Sequence, residues 1–472
     1  MRQLTGFDAS FLALDSHRTP MHVTALAVYD QASAPGGKVT FKQILAHVDS
    51  RLERVPNFRQ RVVTVPLGLD QPYWVDDPNF DLEFHVRHIA LPKPGDWRQL
   101  CIQAARLHAR PLDRSRPLWE LYVIEGLGRV EGFPRGAFAI LSKIHHAAFD
   151  GVSGTEDVHA ALHDPEGVAA ATGASPSAWT PERQPNGLGL LTAAAAHRAW
   201  RPWHYGLLAA RAVPVLGGGI ATRVRRQGLA RPRLGVPRTR FGGRVSAHRV
   251  TDGRRFPLAD LKRIKAAVPG ATINDVVLAL VGGGMRRYLD AKGELPDKAL
   301  VALAPVSVRS HRSAGEGGNQ VVTMTVPLAS EIEDPIARLD AVRAASQASK
   351  ERRDAVRAQW LMDFTRYMPS SLAGLGSRAL PLLSDRASIV ANAVVTNVPG
   401  PQVPLFMCGA RMVAMHGLAP IVDGAGLIHV VFSYCGNVML TFTACRDMLP
   451  DPAFYAQCLE DSFQELCKAV EA

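Results

Sequence analysis

The chain has little cysteine for its length. There are six in 472 residues (Cys101, Cys408, Cys435, Cys445, Cys458, Cys467), with no CxxC pair and no framework spacing. That argues against a disulfide scaffold and for a reducing, cytoplasmic compartment. No window reaches 18 uninterrupted apolar residues, so no spanning helix is expected. The opening MRQLTGFDASFLALDS has no basic n-region followed by an apolar h-region, so no signal peptide is expected. Acid is missing from one long stretch. Between Glu182 and Asp252 there are 13 Arg, no Lys, and no Asp or Glu. The net charge is +11, yet without those 13 the chain carries 41 basic against 43 acidic residues. The basicity belongs to one segment and not to the whole fold.

What is present is ordinary globular sequence, 47% apolar and 21% charged. The length suits two domains of roughly 200 residues with a connector. To about Gly167, strand-like runs alternate with helical ones. MHVTALAVYD (Met21–Asp30) and RGAFAILSKIHH (Arg135–His146) read as strands. FKQILAHVDSRLERV reads as a helix with Ile44, Val48, Leu52 and Val55 on one stripe, and WRQLCIQAARLHARPLD as a helix that stops at Pro111. Residues 168–185 have linker composition, and the Arg-rich segment follows, interrupted by Gly and Pro. A second body starts near Val245. LADLKRIKAAV and INDVVLALVGGGMRRYLDA read as helices, ALVALAPVSV and QVVTMTVPLA as strands. LIHVVFSYCGNVMLTFTA reads as a hairpin turning at Gly436-Asn437 in the II′ manner, and Asp451-Pro452 starts a last helix. VGGGM has no following GK[ST], so it reads as a helix-packing site and not a phosphate loop. The expected organisation is 1–167, an N-terminal domain; 168–244, a linker and Arg-rich connector; and 245–472, a C-terminal domain.

Chemistry concentrates at LSKIHHAAFDGVSG, Leu141 to Gly154. His145 and His146 end an apolar strand, and Asp150 and Gly151 follow a short turn. Side chains alternate along a strand, so the two imidazoles are expected to face opposite ways if the strand runs through both. Zinc sites take His at helical i, i+4 spacing with a further ligand, which this stretch lacks, so no metal is expected. Gly-Val-Ser-Gly is not a nucleophile elbow, which sets Ser153 aside. A neutral imidazole suits general-base work near pH 7, taking the proton of a hydroxyl as it attacks an activated acyl group.

HHAAFDG resembles the HHxxxDG motif of the bacterial wax ester synthase/acyl-CoA:diacylglycerol acyltransferase family. Other stretches extend the likeness in family order. They are FDASFLALDSHRTPMHV, PLDRSRPLWELYVIEGL, INDVVLA, PVSVRS, TNVPGPQVPLFMCGA and SYCGNVMLTFTA. The resemblance implies an α/β fold of two chloramphenicol-acetyltransferase-like domains with the active site in a channel between them. It implies His146 as the base beside His145, with Asp150 and Gly151 shaping the turn and Asn274 helping near the reacting groups. It places Asp15, Pro117, Leu118 and Trp119 at the substrate; Asp15 stands where the family usually has Glu, and Thr396 where it usually has Ser. Arg309, at the end of the apolar strand-like run, is expected to hold Asp150 in a structural ion pair; its plainer reading is a solvated strand end. Trp119 is otherwise an aromatic core anchor, and Asn274 an N-cap.

The function this implies is esterification of a lipid hydroxyl by acyl-CoA, with diacylglycerol the leading acceptor and long-chain alcohols the other. No cofactor is called for. The alternatives are a condensation-type acyltransferase fed by a carrier-protein thioester, and a non-catalytic lipid-surface binding protein. No recognition motif accompanies the positive charge, so no nucleic acid partner is expected. Arg198, Trp200, Arg201, Trp203 and Arg211 mix cationic and aromatic groups as a headgroup boundary requires. A protein held peripherally on the inner face of a membrane or on lipid droplets is therefore expected.

Overall fold

A computed structural model of the chain describes residues 1–148, 161–165, 179–197, 236–307, 321–351 and 391–471. The described helices are α1 (Gly6–Leu14), α2 (Phe41–Asp49), the single turn α3 (Leu82–His85), α4 (Trp97–Ala109), α5 (residues 187–197), α6 (Leu258–Ala267), α7 (Ile273–Ala291), α8 (Pro335–Glu351) and α9 (Pro452–Glu471). Three begin with a reciprocal capping box, Thr40 with Gln43, Asp96 with Gln99 and Thr272 with Asp275. Each box satisfies amides that the first turn leaves unpaired. The helix expected through Val55 ends at Asp49, and Leu52 lies in a separate 3-10 turn. Ile44, Val48 and Leu52 are nonetheless buried together.

The strands form three sheets. The first has β1 (Arg2–Gln3), β4 (Tyr73–Asp76) and β3 (Gln60–Val63) in that order. The second runs β5 (Val86–Ala90), β6 (Trp119–Glu125), β7 (Phe138–His145), β2 (His22–Asp30), β14 (Ala410–Leu418), β13 (Leu405–Met407), β8 (Asp164–Pro165). The third runs β11 (Val321–Pro327), β10 (Val301–Ser307), β12 (Ala393–Val398), β15 (Leu427–Tyr434), β16 (Asn437–Cys445), β9 (Arg249–Pro257). The molecule thus has two large mixed sheets, each with its own apolar core. The cut at residue 245 is not clean, because β13 and β14 from the C-terminal half complete the N-terminal sheet. β14 pairs antiparallel with β2 over Arg411–Leu418.

The hairpin is one residue off the expected place. Tyr434 pairs with Asn437, and the two turn residues are Cys435 and Gly436, at φ 42° and 78°. Two positive φ values make the I′ type, whose twist matches the strands it joins. The three glycines of VGGGM lie where α7 meets its neighbours. A methyl group on Gly283 would reach Arg338 Nη2 at 2.8 Å, and one on Gly284 would reach Leu459 Cδ2 at 2.6 Å. Here the packing reading of the sequence holds. No described helix is long and apolar enough to cross a membrane.

Candidate active site

β7 lies near the middle of the seven-stranded sheet, between β6 and β2, and is buried along almost all its length. His22 of β2 stands opposite His145. The strand stops there. His145 N donates to Leu118 O (2.9 Å) and His146 N to Met21 O (2.8 Å), and the chain turns through a 3-10 segment at His146–Ala148. His146 is therefore not a strand residue, and simple alternation does not set where its ring goes. Both imidazoles instead meet the same helix, α1.

His145 is buried. Its Nδ1 accepts the Ala147 N–H at 3.1 Å, which leaves the proton of the neutral ring on Nε2. That Nε2 lies 3.7 Å from Asp15 Oδ2, long for a hydrogen bond. Asp15 caps the C-terminal end of α1. Its Oδ1 accepts the Met21 N–H (2.8 Å), and its Oδ2 accepts Arg114 Nε and Nη2 (3.1 and 2.8 Å). Burial alone would raise the Asp15 carboxyl, but His145, the Met21 amide and Arg114 together hold it below the usual range. Both oxygens of Asp15 are thus engaged by the protein. Asp15, expected at the substrate, sits between the end of α1 and His145.

The His146 ring lies flat on Phe11, with centroids 3.9 Å apart and planes 11° from parallel. Its Nδ1 is buried and has no partner among the described residues. Desolvation is the main cause that drops its pKa to about 4, with the nearby His145 adding to the fall. The imidazole is therefore neutral at pH 7 with its lone pair free, the state a general base needs.

Beneath the pair lies a dense polar layer that sequence reading did not single out. Lys143, fully buried and two residues before His145, bonds Glu120 at 2.9 Å and donates to Leu107 O and Arg110 O (3.2 and 3.0 Å). It ties β7 to the C-terminal end of α4, where carbonyls lack partners within the helix. His22 and His108 pack edge-to-face at 5.0 Å, and burial pushes both well down, His108 to about 3. Phe11, which the sequence reading did not single out, is four residues from Asp15 in FLALD, a spacing that puts the two on one side of α1.

The PLW block splits. Pro117 and Leu118 are buried, and Leu118 supplies the carbonyl that ends β7. Trp119 is sandwiched by Phe58 (4.4 Å) and His85 (4.6 Å), and its indole N–H is satisfied by Phe58 O at 2.9 Å. With both faces covered it is the core anchor, not a wall open to substrate. Asn274 is the second residue of α7 and half-buried; Thr272, not Asn274, is the N-cap. Among the described residues, the hydrogen bonds, acid–imidazole contact, ring contact and strand pairing of the two histidines involve α1 with its cap Asp15, Met21, His22, Leu118 and Ala147, and Asn274 is not among them. Asp150, Gly151, Arg309, Arg198, Trp200, Arg201, Trp203 and Arg211 lie outside the described residues. Among the described residues no group of three or more His, Cys, Asp and Glu is arranged to hold a metal ion.

Comparison with known proteins adds a second line of information. Residues 4–277 match the family described as wax ester synthase/diacylglycerol acyltransferase catalytic domain, and residues 317–467 match the WS/DGAT C-terminal domain. A protein of Mycobacterium tuberculosis, provisionally named a diacylglycerol O-acyltransferase, is 34% identical over 477 residues, covering 99% of this chain and 90% of the relative. The wax ester synthase/diacylglycerol acyltransferase of Marinobacter aquaeolei VT8 superposes along the full length of both chains, with TM-score 0.69 and 24% identity. The trichothecene 15-O-acetyltransferase of Fusarium sporotrichioides shares the fold at TM-score 0.60 and 12% identity, over 99% of this chain and 95% of that one.

Proposed function

Because the chain belongs to the wax ester synthase/diacylglycerol acyltransferase family, we propose that it transfers an acyl group from acyl-CoA to the hydroxyl of diacylglycerol, with His146 as general base. It is an enzyme of the acyl-CoA-dependent class, and the proposal concerns the acceptor and the residue that does the work. The carrying observation is the His146 imidazole, presented at the end of the central strand, neutral at physiological pH and braced on Phe11.

The chemistry follows from that state. His146 accepts the acceptor's hydroxyl proton as the oxygen attacks the thioester carbonyl carbon. The tetrahedral intermediate collapses by breaking the C–S bond. The CoA thiolate leaves and takes the proton back from the imidazolium, so the base is regenerated. A base with so low a pKa is weak as well as free, so it acts on a hydroxyl whose acidity rises only as the new C–O bond forms. His145, its Nδ1 taken by Ala147 and its Nε2 facing Asp15, supports the ring next to it.

The test compares His146→Ala with His145→Ala on folded protein at equal concentration, following CoA release from acyl-CoA and diacylglycerol. His146→Ala is expected to lose about 10²–10⁴ in rate and His145→Ala less. Full activity in His146→Ala refutes the base assignment. A panel of diacylglycerols and fatty alcohols against one acyl-CoA decides the acceptor.

The acceptor is dissolved in lipid, so the enzyme must reach a lipid surface. We propose that the Arg- and Trp-rich sequence beyond α5 serves that purpose on the cytoplasmic face of a membrane or on lipid droplets. Each basic group near an anionic surface contributes about 1 kcal/mol. Replacing Arg198, Arg201 and Arg211 together by Ser is expected to weaken sedimentation with anionic liposomes at low salt. It should spare turnover of a soluble short-chain alcohol. Unchanged liposome binding removes the segment from this role.

A further inference from the structure

Helix α1 lies against the histidine pair along one side, and its grip on each ring differs in kind. Phe11 and Asp15 are four residues apart, hence neighbours on the helix surface. Asp15 fixes the helix. Its carboxylate bonds the Met21 amide and Arg114, whose Nη2 also donates to Leu12 O (2.6 Å). Met21 in turn gives its carbonyl to His146 N–H. The far end of α1 is held by the Thr5 cap, which accepts the Asp8 amide at 3.1 Å. Phe7 packs edge-on to Phe11 at 5.1 Å, so the Phe11 ring is set before it meets His146.

We infer that Phe11 is a positioning residue for His146: by stacking face to face on the imidazole it fixes the ring plane and keeps water from that face. The inference rests on the reading of His146 as base, but it makes its own claim about the ring. His146 leaves the strand at a turn, and its Nδ1 finds no hydrogen bond among the described residues. An imidazole usually has its orientation set by a bond at the second nitrogen. Here a parallel ring at 3.9 Å supplies what such a bond would. The same contact dries the ring, and loss of water is the leading cause of its low pKa. A planar partner matters, because an aliphatic side chain in its place leaves part of the ring face open to water and does not dictate its angle.

The test uses the full chain with Phe11→Leu and Phe11→Tyr, and with Phe11→Met as a second aliphatic variant in case the first does not fold. His146 is followed by NMR in histidine-labelled protein, its signal identified by its loss in His146→Ala. Phe11→Leu is expected to raise the His146 midpoint toward the ordinary value and to lower kcat about tenfold to a hundredfold, as small misplacements of a reacting group do. KM for acyl-CoA and for diacylglycerol should stay within about twofold, and Phe11→Tyr should restore both kcat and midpoint. An unmoved His146 midpoint in both aliphatic variants overturns the inference. So does a rise in KM with kcat unchanged, which would make Phe11 a substrate contact. If His146→Ala is fully active the base reading fails, while the NMR midpoints still decide whether Phe11 holds the ring.

Discussion

Acid is the perturbation that reads the His146 environment most directly. An ordinary histidine titrates near 6.5, and His146 is held at about 4, mainly by desolvation. At pH 5.5 an unperturbed base would be neutral in about one molecule in ten, whereas His146 remains neutral in nearly all. The ratio of kcat/KM at pH 5.5 to that at pH 8 is therefore expected near 1, not near ~0.1, since kcat/KM reports the free enzyme's base. Stability moves the other way. Between the two pKa values the unfolded chain binds a proton at this position and the folded chain does not. Stability thus rises with pH across that window and is lost as pH falls from 6.5 toward 4, by about 3 kcal/mol for this one group. His108, at about 3, and His416 and His429, at about 4, act with the same sign, again through burial. Initial rates of CoA release from pH 5.5 to 8, with circular dichroism at each pH to confirm folded protein, separate chemistry from unfolding. An activity midpoint near 6.5 in protein that remains folded would refute the dry-base geometry.

Three further outcomes follow from the packing. Lys143→Met leaves Glu120 without its closest cation and removes the Lys143 bonds to Leu107 O and to Arg110 O at the C-terminal end of α4; a one-sided break of a buried pair typically costs ~3–5 kcal/mol. Adding Glu120→Gln should recover part of that loss in denaturant titrations, and strictly additive effects would show the pair uncoupled. Gly283→Ala drives a methyl group into Arg338 and Ser462 and should cost ~1–3 kcal/mol by the same measurement. Gly187→Ala, with nothing within 4 Å, should change stability by less than ~0.5 kcal/mol, and equal costs at the two sites would contradict the close packing of α7. Trp119→Phe keeps a ring between Phe58 and His85 but loses the bond to Phe58 O, costing about 1 kcal/mol with KM for acyl-CoA unchanged. A selective rise in that KM would return Trp119 to the substrate channel.

The elements that declared themselves in sequence are those with strong local signals. The apolar runs of β2, β7, β15 and β16 and the long α7 stand close to where periodicity and caps put them. VGGGM was legible as a packing site because three glycines in a helix interior are costly unless neighbours come close. The errors have local causes too. The stripe through Val55 is real as a buried face, but the chain leaves the helix after Asp49 and keeps Leu52 inward from a 3-10 turn. The hairpin slipped by one residue because Gly-Asn and Cys-Gly are both plausible turns by composition, and pairing of Tyr434 with Asn437 selects the second. At the site, the His pair was visible and its geometry was not. Strand alternation presumes a strand, and β7 ends at His145, where a 3-10 turn takes over from His146. Phe11, Arg114, Lys143 and Glu120 lie inside the quoted stretches, but nothing in the stretches marks them out individually. Their roles arise from distances across 100 residues or more of chain in the case of Phe11 and from buried charge in the case of Lys143, neither of which composition encodes.

Strand exchange between the halves bears on the same histidines. β7 is paired with β2, and β2 is paired on its other side with β14, a strand that begins at Ala410. Without β14, β2 would be an open edge in the middle of an apolar sheet, with its backbone groups unpaired. β14 is itself wedged against the third sheet, for Gly417 packs on Val430 of β15 and His416 Nδ1 is 3.0 Å from Thr441 Oγ1 of β16. The loop from α1 to β2 is gripped from the same side. Arg18 makes two bonds to Asp423 (3.2 and 3.1 Å) and one to Val245 O (2.8 Å), and Arg249 donates to Arg18 O. That loop carries Asp15 at its start and Met21 at its end, the residues that seat α1 and stop β7. The position of the proposed base is thus set by residues beyond 240 as much as by the motif around it. A two-domain description with a catalytic N-terminal part understates this dependence, since the C-terminal half supplies both a strand of the catalytic sheet and the clamp on the loop that orients its histidines.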